Sequence, residues 1–316
     1  MQTIAYQQRL AGGLWGLLVG DAVGVPYEFH NPSELPPFAQ LDMCPPPAFE
    51  RAHAHVPNGT WSDDGARALV LLASLLKQQG LGLEDFAQGL VRWYKYGYMA
   101  VNQQVFDVGI QTAAAIRRII QGYPAEQAGA SDEQANGNGS LMRVLPLALW
   151  HQGTDAELIE LAQLQSVVTH RHKRSQVCCA LYCLWARGLL NAQTLDVAWQ
   201  DAVNTLRAYY GESSDYSAEL EFYIRPDDEP IGQGSGYVVD SLRSARMVLQ
   251  RETSYETVIK AAIALGHDTD TTACIAGGIA GIYYGLDAIP ISWMQALRGK
   301  EMVEPLISQL LQKAEP

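Results

Sequence analysis

The chain has few charges for its size. Of its 316 residues, 18% are Asp, Glu, Lys or Arg, below the usual quarter. Cations are the scarcer kind, 22 against 34 anions, which leaves a formal net charge of −12. That balance excludes a general electrostatic footprint for nucleic acid. It also means that an anionic substrate would need cations gathered locally. Alternating runs of β-branched residues are scarce, which argues against a sheet. Cysteines are few and odd in number, with no pair at convincing zinc-ligand spacing. Cys178, Cys179 and Cys183 share the apolar stretch VCCALYCLWA. With Cys44 and Cys274 they read as buried small hydrophobes, not a disulfide framework. Neither a Walker A spacing nor a repeat of fixed period is present. The N-terminal MQTIAYQQRLAGGLWGLLVGDAVGVPYEF lacks a basic leader, and Asp21 interrupts its apolar part. It is expected to be neither a secretion signal nor a membrane span. A cytoplasmic location without a membrane partner is the expectation.

Helical periodicity is abundant. AYQQRLAGGLWGLLVGDAVG carries apolar residues at three- and four-residue spacing. DDGARALVLLASLLKQQG starts behind Ser62, a good N-cap, and is expected to stop at Gly80. FDVGIQTAAAIRRIIQGYP is expected to open at Asp107, and TTACIAGGIAGIYYG closes the series of apolar helices. The expected class is all-α, one compact multi-helix domain over residues 1–316. Two long loops interrupt it: the proline-rich segment 31–59 and the small, polar segment 124–140. Long ordered loops in a compact domain are often functional.

The polar residues concentrate at helix ends. Asp21 ends the first helix and Glu28 follows in the turn; Ser62, Asp63 and Asp64 open a second; Asp107 opens a third; Asp268, Asp270 and Thr271 precede the Gly-rich run CIAGGIAGIYYG. Capping explains one side-chain oxygen per helix start. These clusters supply more, and paired carboxylates at the edge of an apolar core repel unless a cation lies between them. If the two richest clusters meet in space, they offer four carboxylates with Ser and Thr hydroxyls. That all-oxygen set suits Mg2+ or Mn2+ rather than zinc, and two such ions could hold diol or phosphate oxygens.

Histidines in HAH (His53, His55) read as solvated loop residues, whereas His170 of THRH falls at a helix junction where a side chain can face a cleft. NGNGSLMRV and GQGSGYVV each lead into a helix, and glycines there permit close backbone approach to an anion. Together with an acidic metal site they suggest a phosphorylated sugar or nucleotide ligand, on whose base or ribose face Tyr237 could stack.

In order along nearly the whole chain, GDAVGVPYE, TWSDDGA, FDVGIQT, NGNGSLMRVLPLAL, THRH, GSGYVVDSL and HDTDTTACIAGGIAG resemble the ADP-ribosylglycohydrolase family, and within it the dinitrogenase reductase-activating glycohydrolase branch. The resemblance implies an all-α fold with two Mg2+ (or Mn2+) ions. It also implies hydrolysis of the bond between ADP-ribose and an acceptor, commonly the guanidinium of arginine on an ADP-ribosylated protein. By the same resemblance Ser62, Asp63, Asp64, Asp268, Asp270 and Thr271 would be metal ligands. Glu28, Asp107 and Asp270 would be the catalytic carboxylates. Asn138, Gly139, Ser140, Met142, His170, Gly234, Ser235, Gly236 and Tyr237 would line the ADP-ribose channel. Two departures bear on the acceptor: Gly65 stands where the family has a hydroxyl, and His267 where it often has Gly or Asn. The resemblance also allows an ADP-ribose-binding sensor or stoichiometric blocker, but intact carboxylate pairs favour an enzyme.

Overall fold

The computed structural model describes residues 4–314. Its helices run α1 (Tyr6–Gly24), α2 (Asp63–Gln78), α3 (Leu83–Tyr96), α4 (Ile110–Ile120), α5 (Ala125–Ala128), α6 (Leu145–Trp150), α7 (Asp155–Val167) and α8 (Lys173–Leu190). They continue with α9 (Leu195–Tyr210), α10 (Asp215–Ala218), α11 (Val238–Arg251), α12 (Tyr255–Ile263), α13 (Thr269–Tyr284), α14 (Ile291–Ala296) and α15 (Lys300–Lys313). Among the described residues there is no strand, only two isolated bridges, Ala130 with His170 and Gly137 with Tyr237. The all-α expectation holds.

At the centre α1 lies against α13 with almost no side chain between them. A Cβ placed on Gly12 would lie 2.2 Å from the carbonyl oxygen of Gly281; on Gly16, 2.4 Å from that of Gly277; on Gly20, 2.1 Å from that of Ala273. The partner number falls by four as the first rises by four, so the helices run antiparallel and present one face each. Neighbouring helices hold this pair through its backbone. The Tyr255 hydroxyl of α12 donates to the Gly16 carbonyl at 2.7 Å, and that of Tyr182 in α8 donates to the Ile275 carbonyl at 2.8 Å. Tyr6–Tyr27 is long and apolar enough to cross a bilayer by composition, yet its most apolar stretch is enclosed by the rest of the protein. One apolar cluster runs from Leu10 to Leu310.

Three local expectations are corrected. Helix α2 ends at Gln78, two residues before the expected glycine: Gln79 takes the left-handed conformation (φ 51°), and its own side chain caps the Leu76 carbonyl at 2.6 Å. Helix α4 opens at Ile110, not at Asp107, whose backbone is left-handed (φ 51°) and so cannot continue a helix. Cys44 is exposed, while Cys178, Cys179, Cys183 and Cys274 are buried; all five are free thiols.

The α1–α13 contact predicts a strong asymmetry between glycines. Alanine is intrinsically favoured in a helix by about 1 kcal/mol, but in Gly16→Ala the added methyl meets backbone that cannot give way. Gly16→Ala is expected to lower unfolding free energy by roughly 2 kcal/mol. Gly80→Ala, where an added Cβ meets nothing within 4 Å, is expected to stay within about 0.5 kcal/mol of the parent. Chemical denaturation checks both, and similar losses at the two sites would refute the close packing.

Candidate active site

The close approach of α1 to α13 continues to their ends, where a Cβ on Gly24 would lie 2.5 Å from the Asp270 Cα. The last turn of α1 therefore meets the first turn of α13. From α1, the Asp21 carboxylate accepts the backbone N–H of Ser62 at 2.9 and 3.1 Å and that of Gly65 at 2.7 Å. The Ser62 hydroxyl accepts from the Asp64 N–H at 3.2 Å. Asp21 and Ser62 thus cap α2 between them, and no cap remains for Asp63 or Asp64 to make. Asp63 pairs with Arg67, one turn on in α2. Asp64 is fully buried, and neither of its carboxylate oxygens finds a hydrogen-bond partner.

The start of α13 has the same excess. Asp268 stands at the N-cap position but makes no side-chain cap; its Oδ2 accepts from the Asn138 amide at 2.8 Å. Asp270 is fully buried, with Oδ1 on the Thr271 N–H at 2.8 Å and Oδ2 without a partner. Carboxylate oxygens of Glu28, Asp268 and Asp270 lie within 4.8 Å of one another. Burial holds Asp63, Asp64 and Asp270 well above the ordinary carboxylate range, and the adjoining carboxylates push in the same direction. Burial likewise raises Asp21 to about 7, Glu28 to about 11 and Asp107 to about 6.

A buried carboxylate without a donor is costly, by several kcal/mol even after relaxation. Here three orphaned oxygens, on Asp64 and Asp270, converge with Glu28 and Asp268. The missing partner that fits is a hard, oxygen-seeking divalent cation. The Thr271 hydroxyl has only the Met142 sulfur, at 3.9 Å, as a neighbour to donate to, so it too is open to a cation.

These groups border a cavity of about 630 Å³, a size suited to a small ligand. Its floor carries Asp63, Asp64, Asp268 and Thr271, and Glu28 and Asp107 stand beside them. Its far wall is built from the two glycine-rich loops, which pair: the Asn138 N–H donates to the Gly236 carbonyl at 3.1 Å, and the Val238 N–H to the Asn136 carbonyl at 3.0 Å. Gly137, Asn138, Gly139, Met142, His170, Ser235 and Gly236 line this wall. A Cβ on Gly139 would lie 2.8 Å from the His170 ring, so a larger residue would fill the channel. His170 is kept neutral by burial, with Nδ1 2.8 Å from the Thr169 hydroxyl, which in turn accepts from Arg143 at 2.7 Å.

Three residues expected in the channel lie off its lining. Ser140 is wholly buried behind the loop, where its hydroxyl accepts from Ser166 at 2.8 Å. Gly234 joins loop to loop: its carbonyl accepts the Asp268 N–H at 2.9 Å. Tyr237 is exposed and outside the cavity lining, its hydroxyl accepting from Arg174 at 3.3 Å. Ser62 and Asp270 sit beneath the cavity surface. His53 is half-buried with Nε2 2.7 Å from Glu28 Oε2, not solvated, whereas His55 is exposed.

Sequence reasoning missed two further residues. Arg67 is buried in the cavity wall, donating to the Thr112 hydroxyl at 2.7 Å and the Gly139 carbonyl at 3.3 Å. Its spacing of four from Asp63 on one helix was the available signal. Arg143, wholly buried, donates to the same Gly139 carbonyl at 3.1 Å; nothing in its local sequence marks it. The backbone at His267 is left-handed (φ 62°), and its N–H and C=O exchange hydrogen bonds of 2.7 Å with His30 and Phe29. Gly or Asn would suit that conformation better.

Comparisons with known proteins agree with this geometry. The chain is 30% identical to the ADP-ribosylarginine hydrolase Tri1 of Pseudomonas putida, over 97% of this chain and 78% of the relative. It is 26% identical to the ADP-ribosyl-[dinitrogen reductase] glycohydrolase of Rhodospirillum rubrum, over 92% and 90%. A solved structure, described as an ADP-ribosylglycohydrolase-related protein complex, superposes with a TM-score of 0.79 at 28% identity, covering 98% of this chain and 99% of the other. The ADP-ribosylglycohydrolase family profile matches residues 2–316. The chain belongs to the ADP-ribosylglycohydrolase family.

Proposed function

We propose that the protein is a metal-dependent hydrolase that removes ADP-ribose from a modified acceptor, with ADP-ribosyl-arginine on a protein as the substrate. The family and the activities named for its relatives support an ADP-ribosyl hydrolase. The observation that carries the finer reading is the convergence of orphaned Asp64 and Asp270 oxygens beneath a cavity walled by paired glycine loops. Ser62, Asp63, Asp64, Asp268, Asp270 and Thr271 would hold two Mg2+ or Mn2+ ions. Such ions, when bound, supply a binding site for ribose hydroxyls and a lowered pKa for bound water.

The protein's own groups do the rest. The glycine loops bring backbone close to the diphosphate, which lets an acidic protein take an anionic ligand without a basic surface. Arg67 is the buried cation of the cavity wall. Asp107, raised to about 6, has a proton it can both give and take near neutral pH. Glu28 stands next to it in the cavity lining, with its own carboxyl strongly biased towards the protonated form by burial. Between them these two carboxyls can protonate the departing guanidine nitrogen and relieve the attacking water of a proton. The acidic floor also suits a cationic arginine acceptor.

Release of free ADP-ribose from an arginine-modified protein tests the reading. Release is expected with Mg2+ and is expected to stop on adding EDTA. Asp64→Asn is expected to lose roughly 10²-fold or more in rate while remaining folded, because it removes an unpaired buried charge. Release that survives EDTA would exclude the metal reading, and activity only on other conjugates would exclude the arginine acceptor.

Stability against pH tests the site without turnover. In the folded chain Glu28, Asp21 and Asp107 hold their protons to about 11, 7 and 6, against about 4 in an unfolded chain. The folded state therefore binds more protons. In the metal-free protein the contribution of these three groups is full below about pH 4 and is lost as pH rises through 6 and 7. Mg2+ is expected to raise Tm more at pH 8 than at pH 5.5, by binding the folded carboxylates alone. A Tm indifferent to Mg2+ at pH 8 would count against a metal site.

A further inference from the structure

The proline-rich segment 31–59 turns back on the site at one residue. His53 Nε2 lies 2.7 Å from Glu28 Oε2. The imidazole packs between Phe106, with ring centres 5.0 Å apart, and Phe29, at 5.6 Å. Its backbone is fixed as well. The Ala52 N–H donates to the Pro26 carbonyl at 2.9 Å, and the Val56 N–H closes a turn onto the His53 carbonyl at 2.7 Å. Arg51 ties the loop tip through the Ala54 carbonyl at 2.7 Å and the Asn58 side chain.

The backbone around it is unusual. His53 (φ 49°), Phe29 (φ 64°) and Asp107 (φ 51°) all take the left-handed conformation. Asp and His adopt it more readily than most residues, whereas for the bulky Phe29 it is an outlier. Strain of that kind persists only where the surroundings enforce it, and it gathers at functional sites.

The other side chains close to Glu28 are carboxyls: Asp107, which shares a hydrogen bond with it, and Asp268 and Asp270. None of these three holds it when all are ionised. His53 is the neighbour that can hold it by a hydrogen bond whichever of the two carries the proton.

We propose that His53 is a positioning residue that fixes the Glu28 carboxylate at the edge of the catalytic floor. The inference rests on the hydrolase reading above. His53 is not part of the cavity lining; it acts by holding the Glu28 carboxylate in its place beside Asp107, Asp268 and Asp270. The long loop is then the device that delivers an imidazole to the back of a carboxylate which the helices alone leave unsupported.

Two substitutions separate positioning from scaffolding. Asn accepts left-handed backbone readily, so His53→Asn keeps the loop, but its shorter amide falls short of Glu28. His53→Gln restores a nitrogen at about the reach of Nε2. With an ADP-ribosyl-arginine protein and saturating Mg2+, His53→Asn is expected to lose about 10- to 100-fold in kcat. Its KM and the Kd for free ADP-ribose are expected to stay within about twofold, and its Tm to match or exceed the parent's. His53→Gln is expected to recover most of the lost rate. An unchanged kcat in His53→Asn, or a Tm that falls in step with the rate, would overturn the proposal. Should the parent protein release no ADP-ribose, the hydrolase reading fails, and crystal structures of parent and His53→Asn decide this point alone. A Glu28 carboxylate displaced in the variant supports positioning, and one that stays in place overturns it.

Discussion

Everything in the site depends on two helices touching backbone to backbone. Because α1 and α13 meet through glycines, their axes can approach more closely than any side chain would allow, and the last turn of one abuts the first turn of the other. That contact fixes Asp21 and Glu28 relative to Asp268 and Asp270. Asp21 then fixes the start of α2 by accepting the N–H groups of Ser62 and Gly65, which sets Asp63 and Asp64 in register. Four acidic side chains on two distant segments are thus positioned by main-chain geometry, with little left to side-chain choice.

The electrostatics follow from that rigidity. Carboxylates forced together in a buried setting either keep their protons or find a cation. The caps of α2 are already supplied by Asp21 and Ser62, and Asp268 makes no cap at all. The acidic residues therefore cannot be excused as helix stabilisers. They are a standing cost to the metal-free fold, which a divalent cation would turn into binding energy. Arg67, paired with Asp63, offsets only part of it. Arg143 and Arg67 share the Gly139 carbonyl, so two buried cations also anchor one of the glycine loops from behind.

Much of the fold was legible because helices are local. The three- and four-residue spacing marked α1, α2, α8 and α13, and Ser62 marked a helix start where the structure has one. The acidic clusters were legible as an excess over what capping requires. What the sequence concealed was non-local or conformational. Nothing near Gly16 tells of Gly277. Left-handed backbone at Asp107 took it out of the helix it was expected to open, and at Gln79 it ended α2 without the glycine. His53 sits in a loop with no periodicity, so its return to Glu28 had no signal. Ser140, Gly234 and Tyr237 were assigned to the channel by resemblance; in the fold Ser140 is tied to Ser166, Gly234 to Asp268 and the Tyr237 backbone to Gly137. His267, without a role in the sequence, is a backbone clasp to Phe29 and His30.

That clasp gives Asp268 an unusual station. The residue before it grips the Glu28 turn, its own N–H grips Gly234, and its carboxylate grips Asn138. Three separate segments of chain are thus moored to two adjacent residues, His267 and Asp268. A shift of Asp268 would therefore be felt by both glycine loops and by the turn carrying Glu28. The acidic floor and the channel above it are, in that sense, mechanically one piece.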